Sequence, residues 1–147
     1  MANTTVPAFL DALKAQLEAR PGLSGVVIAT SPQSEEVIES IEFGFRITGS
    51  QNWAAFGQGR RQDHYTVTGI VWIAKDGAGD ETASEARDRV YELFGELEDQ
   101  LRSDRYVNGS VPNDVGASIT RADFGQWYDD RKRMARMEFD IEVKARI

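Results

Sequence analysis

The sequence predicts an α+β domain: a mostly antiparallel sheet of about five strands with two helices packed on it. Three observations carry this. Two segments place apolar residues at helical spacing, several others alternate apolar and polar residues, and the order is helix, strand, strand, strand, helix, strand, strand. Neighbouring strands joined by short connections favour antiparallel pairing, and one face of such a sheet must be covered by helices. The 147 residues suffice for one domain, 1–147, with a core of its own.

The first helix starts at Val6, with Thr5 in the capping position and Pro7 in the first turn, where a missing N–H costs nothing. Val6, Phe9, Leu10, Leu13 and Leu17 follow helical spacing, and Arg20-Pro21-Gly22 stops the helix. A short apolar run, Val26-Val27-Ile28-Ala29, makes the first strand. Residues 36–48 alternate, with Val37, Ile41, Phe43, Phe45 and Ile47 on one parity and Glu42, Arg46 and Thr48 on the other. Residues 49–59 read as a glycine-rich loop carrying two large rings, Trp53 and Phe56, followed by Arg60 and Arg61. The next strand, 61–74, has Tyr65, Val67, Val71 and Ile73 on one face and Thr66, Thr68, Ile70 and Trp72 on the other. Its end is apolar on both faces, and one helix on each face would give Trp72 a cover without any partner.

Thr82 and Glu85 have capping-box spacing, opening a helix that runs to about Arg102. Ala83, Ala86, Val90, Phe94, Leu97 and Leu101 form its apolar stripe. Residues 115–122 and 133–147 read as strands. In the last, odd-numbered apolar residues from Ala135 to Ile147 alternate with charged even-numbered ones. Solvation is the expected state of that even face, against a wall of cross-strand ion pairs. The core expected from these patterns contains Leu13, Phe43, Phe45, Val71, Phe94, Leu97, Phe139 and Ile141.

Composition narrows the function. There is no cysteine, which excludes disulfides and thiolate zinc sites. A net charge of −7 argues against a protein that grips nucleic acid, which needs clustered Lys and Arg. No secretory signal and no membrane span are expected. The single histidine, His64, sits at a strand entry with no nucleophile elbow nearby, and is expected to be dispensable. Asp123-Phe124-Gly125 matches a kinase triplet without its partners, and Gly57-Gln58-Gly59 lacks the third glycine of a dinucleotide loop. Asp123, Asp129 and Asp130 are expected in a solvated hairpin connection rather than around a hard metal. No catalytic residue, metal or cofactor is expected.

Two features remain. Asp88, Glu92, Glu96 and Asp99 line the side of the second helix opposite its apolar stripe, as either a solvated outer face or an acidic wall facing a polyanion or a basic partner. Trp53 and Phe56 on a loop need something to touch. Rings and arginine are enriched at interface hot spots, so Trp53, Phe56, Arg60, Arg61 and Trp72 are expected at a subunit or partner interface.

The layout resembles the tail terminator, or tail completion, proteins of long-tailed bacteriophages. The resemblance spans the opening helix "VPAFLDALKAQLEARPGL", the second helix "ASEARDRVYELFGELEDQL" and the closing strands "GASITRADFGQWYDDRKRMARMEFDIEVKARI". It is one of order and texture, with no diagnostic motif. It implies a non-enzymatic virion protein of the tail or neck, assembled in the host cytoplasm. Its subunits form a ring, usually of six. The ring caps the tail tube, meets tail tube protein and head-completion protein, and lets DNA pass without specific binding. The acidic stripe or the charged face of the last strand is then a candidate lumen wall. A closed ring needs a heterologous contact, such as the 49–59 loop docking on a neighbour. Two alternatives stay open: another neck subunit such as a head-completion or stopper protein, and a small-molecule-binding or enzymatic α+β domain using the 49–64 region.

Overall fold

A computed structural model describes residues 4–33, 38–53, 61–77, 79–111, 115–129 and 132–146, with backbone alone at 50–53, 61, 62 and 129. The elements are α1 (Val6–Glu18), a 3-10 turn (Pro21–Leu23), β1 (Val27–Ala29), β2 (Glu39–Trp53), β3 (Arg61–Asp76), α2 (Asp80–Ser103), β4 (Gly116–Asp129) and β5 (Lys132–Arg146). The five strands form one sheet in the order β1-β2-β3-β5-β4, parallel only between β1 and β2. The α+β fold with a mostly antiparallel sheet is as expected. No helix among the described residues is long and apolar enough to cross a membrane.

Both helices lie on the same sheet face, so Trp72 has no helix over it. Phe9, Leu13 and Leu17 of α1 and Ala86, Val90, Leu93, Phe94, Leu97 and Leu101 of α2 share one cluster with the odd-numbered residues of β3 and β5. Ring contacts tie each helix to that face: Phe9 meets Tyr65 at 6.2 Å and Phe94 meets Phe139 at 6.0 Å. Two amphipathic helices side by side suffice to cover the central strands. The even face is left without a helix.

Of the expected core, Leu13, Phe43, Val71, Phe94, Leu97, Phe139 and Ile141 are buried, but Phe45 is 41% exposed. The cause is a bulge. Phe43 pairs with Gly69 and Arg46 with Thr68, so Gly44 and Phe45 face a single step of β3. Gly44 takes φ +87, a left-handed value that a side chain would oppose, and a Cβ there would come within 3.0 Å of Leu10. Strict alternation breaks at that point and Phe45 leaves the core.

The expected loop 49–59 is shorter than its glycines suggest. Pairing runs on from Gly49↔Tyr65 to Trp53↔Arg61, so the backbone of Trp53 and Arg61 belongs to the ladder. Phe56 and Arg60 lie outside the described residues. The expected capping box does not cap: α2 begins at Asp80 behind Gly79, with Asp80 and Glu81 in the first turn, where negative charge suits the helix dipole. β4 runs to Asp129, well beyond residue 122. Asp123 is therefore a strand residue opposite Glu138, not part of a connection.

Candidate functional site

The helix-free face is where the even residues of β3 and β5 meet their neighbours. Its charged side chains keep contact with solvent, Glu138, Glu142 and Lys144 being 33–34% exposed, and several are also joined in a cross-strand network. A second bulge, between Ile119 and Arg121, inserts Thr120 and sets Arg121 opposite Asp140. The Arg121 guanidinium donates to Asp140 at 2.8 Å, to Glu138 at 2.6 Å and to Asp123. Thr68 donates to the other oxygen of Asp140 at 2.8 Å. Towards β2, Glu42 is almost fully buried and accepts from Ser40 at 2.7 Å and from the Gln33 backbone N–H at 2.8 Å. Towards the other end, Glu142 lies between His64 at 3.5 Å and Lys144 at 3.6 Å. Trp72 finds its neighbour here: its ring sits 5.4 Å from that of Trp127, and Arg136 lies over Trp127 at 5.7 Å.

The Arg121 hydrogen bonds hold the Asp140 carboxyl below the usual carboxylate range, with Thr68 adding to the effect. A depressed carboxylate contributes stability that is fully present above its ordinary value of about 3.9. That contribution drains away as pH falls through the lower folded value. Arg121→Met is therefore expected to destabilise the protein more at about pH 7 than at about pH 3. Urea midpoints of both proteins at the two pH values check this, and an equal difference at both would refute it.

The opposite face carries a second polar cluster, which the sequence reading missed. Asp63 is 2% exposed and accepts from the Thr5 backbone N–H at 2.6 Å, Thr4 Oγ1 at 2.8 Å and Thr5 Oγ1 at 3.0 Å. Thr5 Oγ1 also meets the Tyr65 hydroxyl at 2.8 Å, and burial pushes the Tyr65 phenol well above its ordinary value. Thr5 does not cap α1 through its own side chain. Instead a strand carboxylate reaches back to the helix entrance.

The acidic stripe is interrupted by arginines. Arg20 donates to Glu96 at 2.7 Å and to Gln100 at 2.9 Å. Arg89 grips both oxygens of Glu39, at 2.9 and 3.0 Å, and also meets Glu92 at 3.0 Å. Asp88 is paired with Arg87 at 3.0 Å. Asp88, Glu92 and Asp99 remain exposed. His64 lies half-exposed beside Glu142, on the open face, away from Asp63 on the helix side. The helix-free face is thus an array of cross-linked charges ending in an aromatic pair.

No protein-family model matches the chain, and no curated protein matches it in sequence. Among solved structures, it is similar to a chain of the "Virion of native gene transfer agent (GTA) particle", with a TM-score of 0.60 and 16% identity. The likeness covers 98% of this chain and 100% of that chain. From end to end, then, the fold is one also found in a chain of a gene transfer agent virion.

Proposed function

We propose that the chain is a structural protein of a phage-like virion: a ring subunit that caps the tail tube, ends its polymerisation and joins it to the head-completion proteins. The observation that carries this reading is the fold match to a virion chain over 98% of one and 100% of the other. The helix-free face, cross-linked by charges and ending in Trp72 and Trp127, supports a protein that works by contact. The reading assigns no catalysis. Trp53, Phe56, Arg60, Arg61 and Trp72 belong to its subunit or partner contacts. DNA passes through the lumen, and a net charge of −7 favours passage over capture.

Deleting the chain from the particle that carries it tests this. The expected result is tails of irregular, excessive length and heads that stay unjoined, both corrected when the intact chain is supplied. Joined particles with tails of normal length would refute the reading.

A further inference from the structure

Among the described residues, each edge of the sheet has a stretch without a strand beside it, and the two stretches match. β1 covers β2 only at Ser40, Ile41 and Glu42. Beyond the bulge, residues 45–49 form an edge on which every residue is exposed, including Phe45 at 41% and Ile47 at 36%. At the other side β4 is the edge. Among the described residues, one backbone hydrogen bond reaches β4 from outside the sheet, from the Ala117 N–H to the Arg105 carbonyl at 2.7 Å. None reaches 118–129. Neither 45–49 nor 118–129 contains a lysine or a proline, the residues that commonly blunt exposed edges.

The ladder fixes how the edges relate. Arg46 pairs with Thr68, Thr68 with Asp140, and Asp140 with Arg121. Ser50 pairs with His64, His64 with Lys144, and Lys144 with Gly116. Residues 46–50 and 116–121 thus stand at the same height on opposite edges. Three antiparallel steps separate β2 from β4, so the two strands run in opposite directions. A second copy set alongside in the same orientation brings its β2 antiparallel to the first copy's β4, with all helices on one side.

Side chains fit this arrangement. Ile47 shares the helix side of the sheet with its partner Val67, which is fully buried. On the helix side of β4 lies a groove of about 370 Å³ whose apolar lining is Leu101, Ala117 and Ile119 and whose rim carries Glu98, Arg102 and Arg105. Pairing Ile47 with Ile119 carries Ile47 to that groove, and sets Thr48 opposite Ser118 on the open face. We infer that copies of this chain join edge to edge, residues 45–48 of one adding to residues 118–121 of β4 of the next, so that one sheet continues from subunit to subunit. The contact is heterologous, and strand twist makes such a row curve. The inference rests on the ring reading and names the surface by which the ring closes.

The chain has no cysteine, which makes cross-linking selective. Thr48→Cys and Ser118→Cys proteins, checked by circular dichroism, are mixed under oxidation and with a short bismaleimide that tolerates a slip of register. This is done in solution and on capped tail ends, with electron microscopy of each sample. The expected result is a covalent dimer from the mixture alone, and from the doubly substituted chain a ladder ending in one closed species. Ile47→Pro, which removes an N–H that points to the open edge while Thr48 stays bonded to Thr66, is expected to abolish ring formation in the folded protein. Cross-linking of Ser118→Cys with itself would mean symmetric β4 pairing and overturn the inference. Rings without cross-links would overturn it and leave the ring reading standing, whereas absence of both rings and cross-links would overturn both.

Discussion

Phe139→Ala is expected to lower stability by about 3–5 kcal/mol, the usual cost of emptying a large buried aromatic site. Phe139 is fully buried on the central strand β5, with the Phe94 ring of α2 6.0 Å away. Across the ladder its partner is Gly69, and a Cβ at Gly69 would lie 2.5 Å from Phe139 Cζ and 2.6 Å from the Glu42 carbonyl oxygen. The ring occupies the space that the missing side chain leaves, so neighbours cannot close over the hole without moving α2. Native domains are stable by only about 5–15 kcal/mol, so the loss takes a large share. Urea unfolding with an unchanged slope is the measurement. A change below about 1 kcal/mol would mean that the ring does not support the helix. Gly69→Ala is expected to cost about 1–3 kcal/mol by overpacking, and less in the Phe139→Ala background, because the two sites share one space.

The second large effect is expected at Asp63. Its carboxylate accepts three hydrogen bonds from Thr4 and Thr5 inside the protein. Alanine there leaves the buried Thr5 N–H without this partner. A hydrogen bond to a charged group contributes about 1.5–3 kcal/mol, and an orphaned buried donor costs a comparable amount. Asp63→Ala is thus expected to lose at least about 2 kcal/mol, and Asp63→Asn, which keeps one acceptor oxygen, less. The loss should be local first. Hydrogen exchange at Phe9, whose N–H bonds the Thr5 carbonyl at 2.8 Å, should accelerate before exchange in α2 does. A loss within about 0.5 kcal/mol, typical of surface changes, would show that α1 is held by its apolar stripe alone.

How much of this was legible in the sequence depends on what each residue reports. Helical and strand periodicity report which residues share a face, and α1, the α2 stripe and β5 were readable from it. Periodicity does not report which side of the sheet a helix takes, so the open face was missed, and with it the network around Arg121. Bulges break the alternation, and Thr120 gives no local sign of one. The bulges at Gly44 and Thr120 move Phe45 out of the core and Arg121 onto Asp140. Gly49 misled in the other direction. It read as the start of a loop, but there is no room for a side chain there against Tyr65 and the His64 carbonyl oxygen, so the glycine serves close strand packing. Asp63 gave no signal, because its role depends on the entrance of a helix nearly sixty positions away. The expectation for Trp53, Phe56, Arg60 and Arg61 rested on composition, and their side chains lie outside the described residues.

The insertion of β5 between β3 and β4 bears on synthesis. β5 is the last of these elements in chain order, yet it is the strand that joins the β4 edge to the rest of the sheet. Until it emerges, a nascent chain holds β3 with one flank unpaired, α2 without the strand that its Phe94 packs on, and β4 without a partner. At roughly 5–20 residues per second, translating the stretch between β3 and β5 takes several seconds. During that time β3 lacks the strand on one of its flanks. Closure of the domain therefore waits for β5, and the interval before it is when the chain is most exposed to chaperones and to misassembly with its own copies.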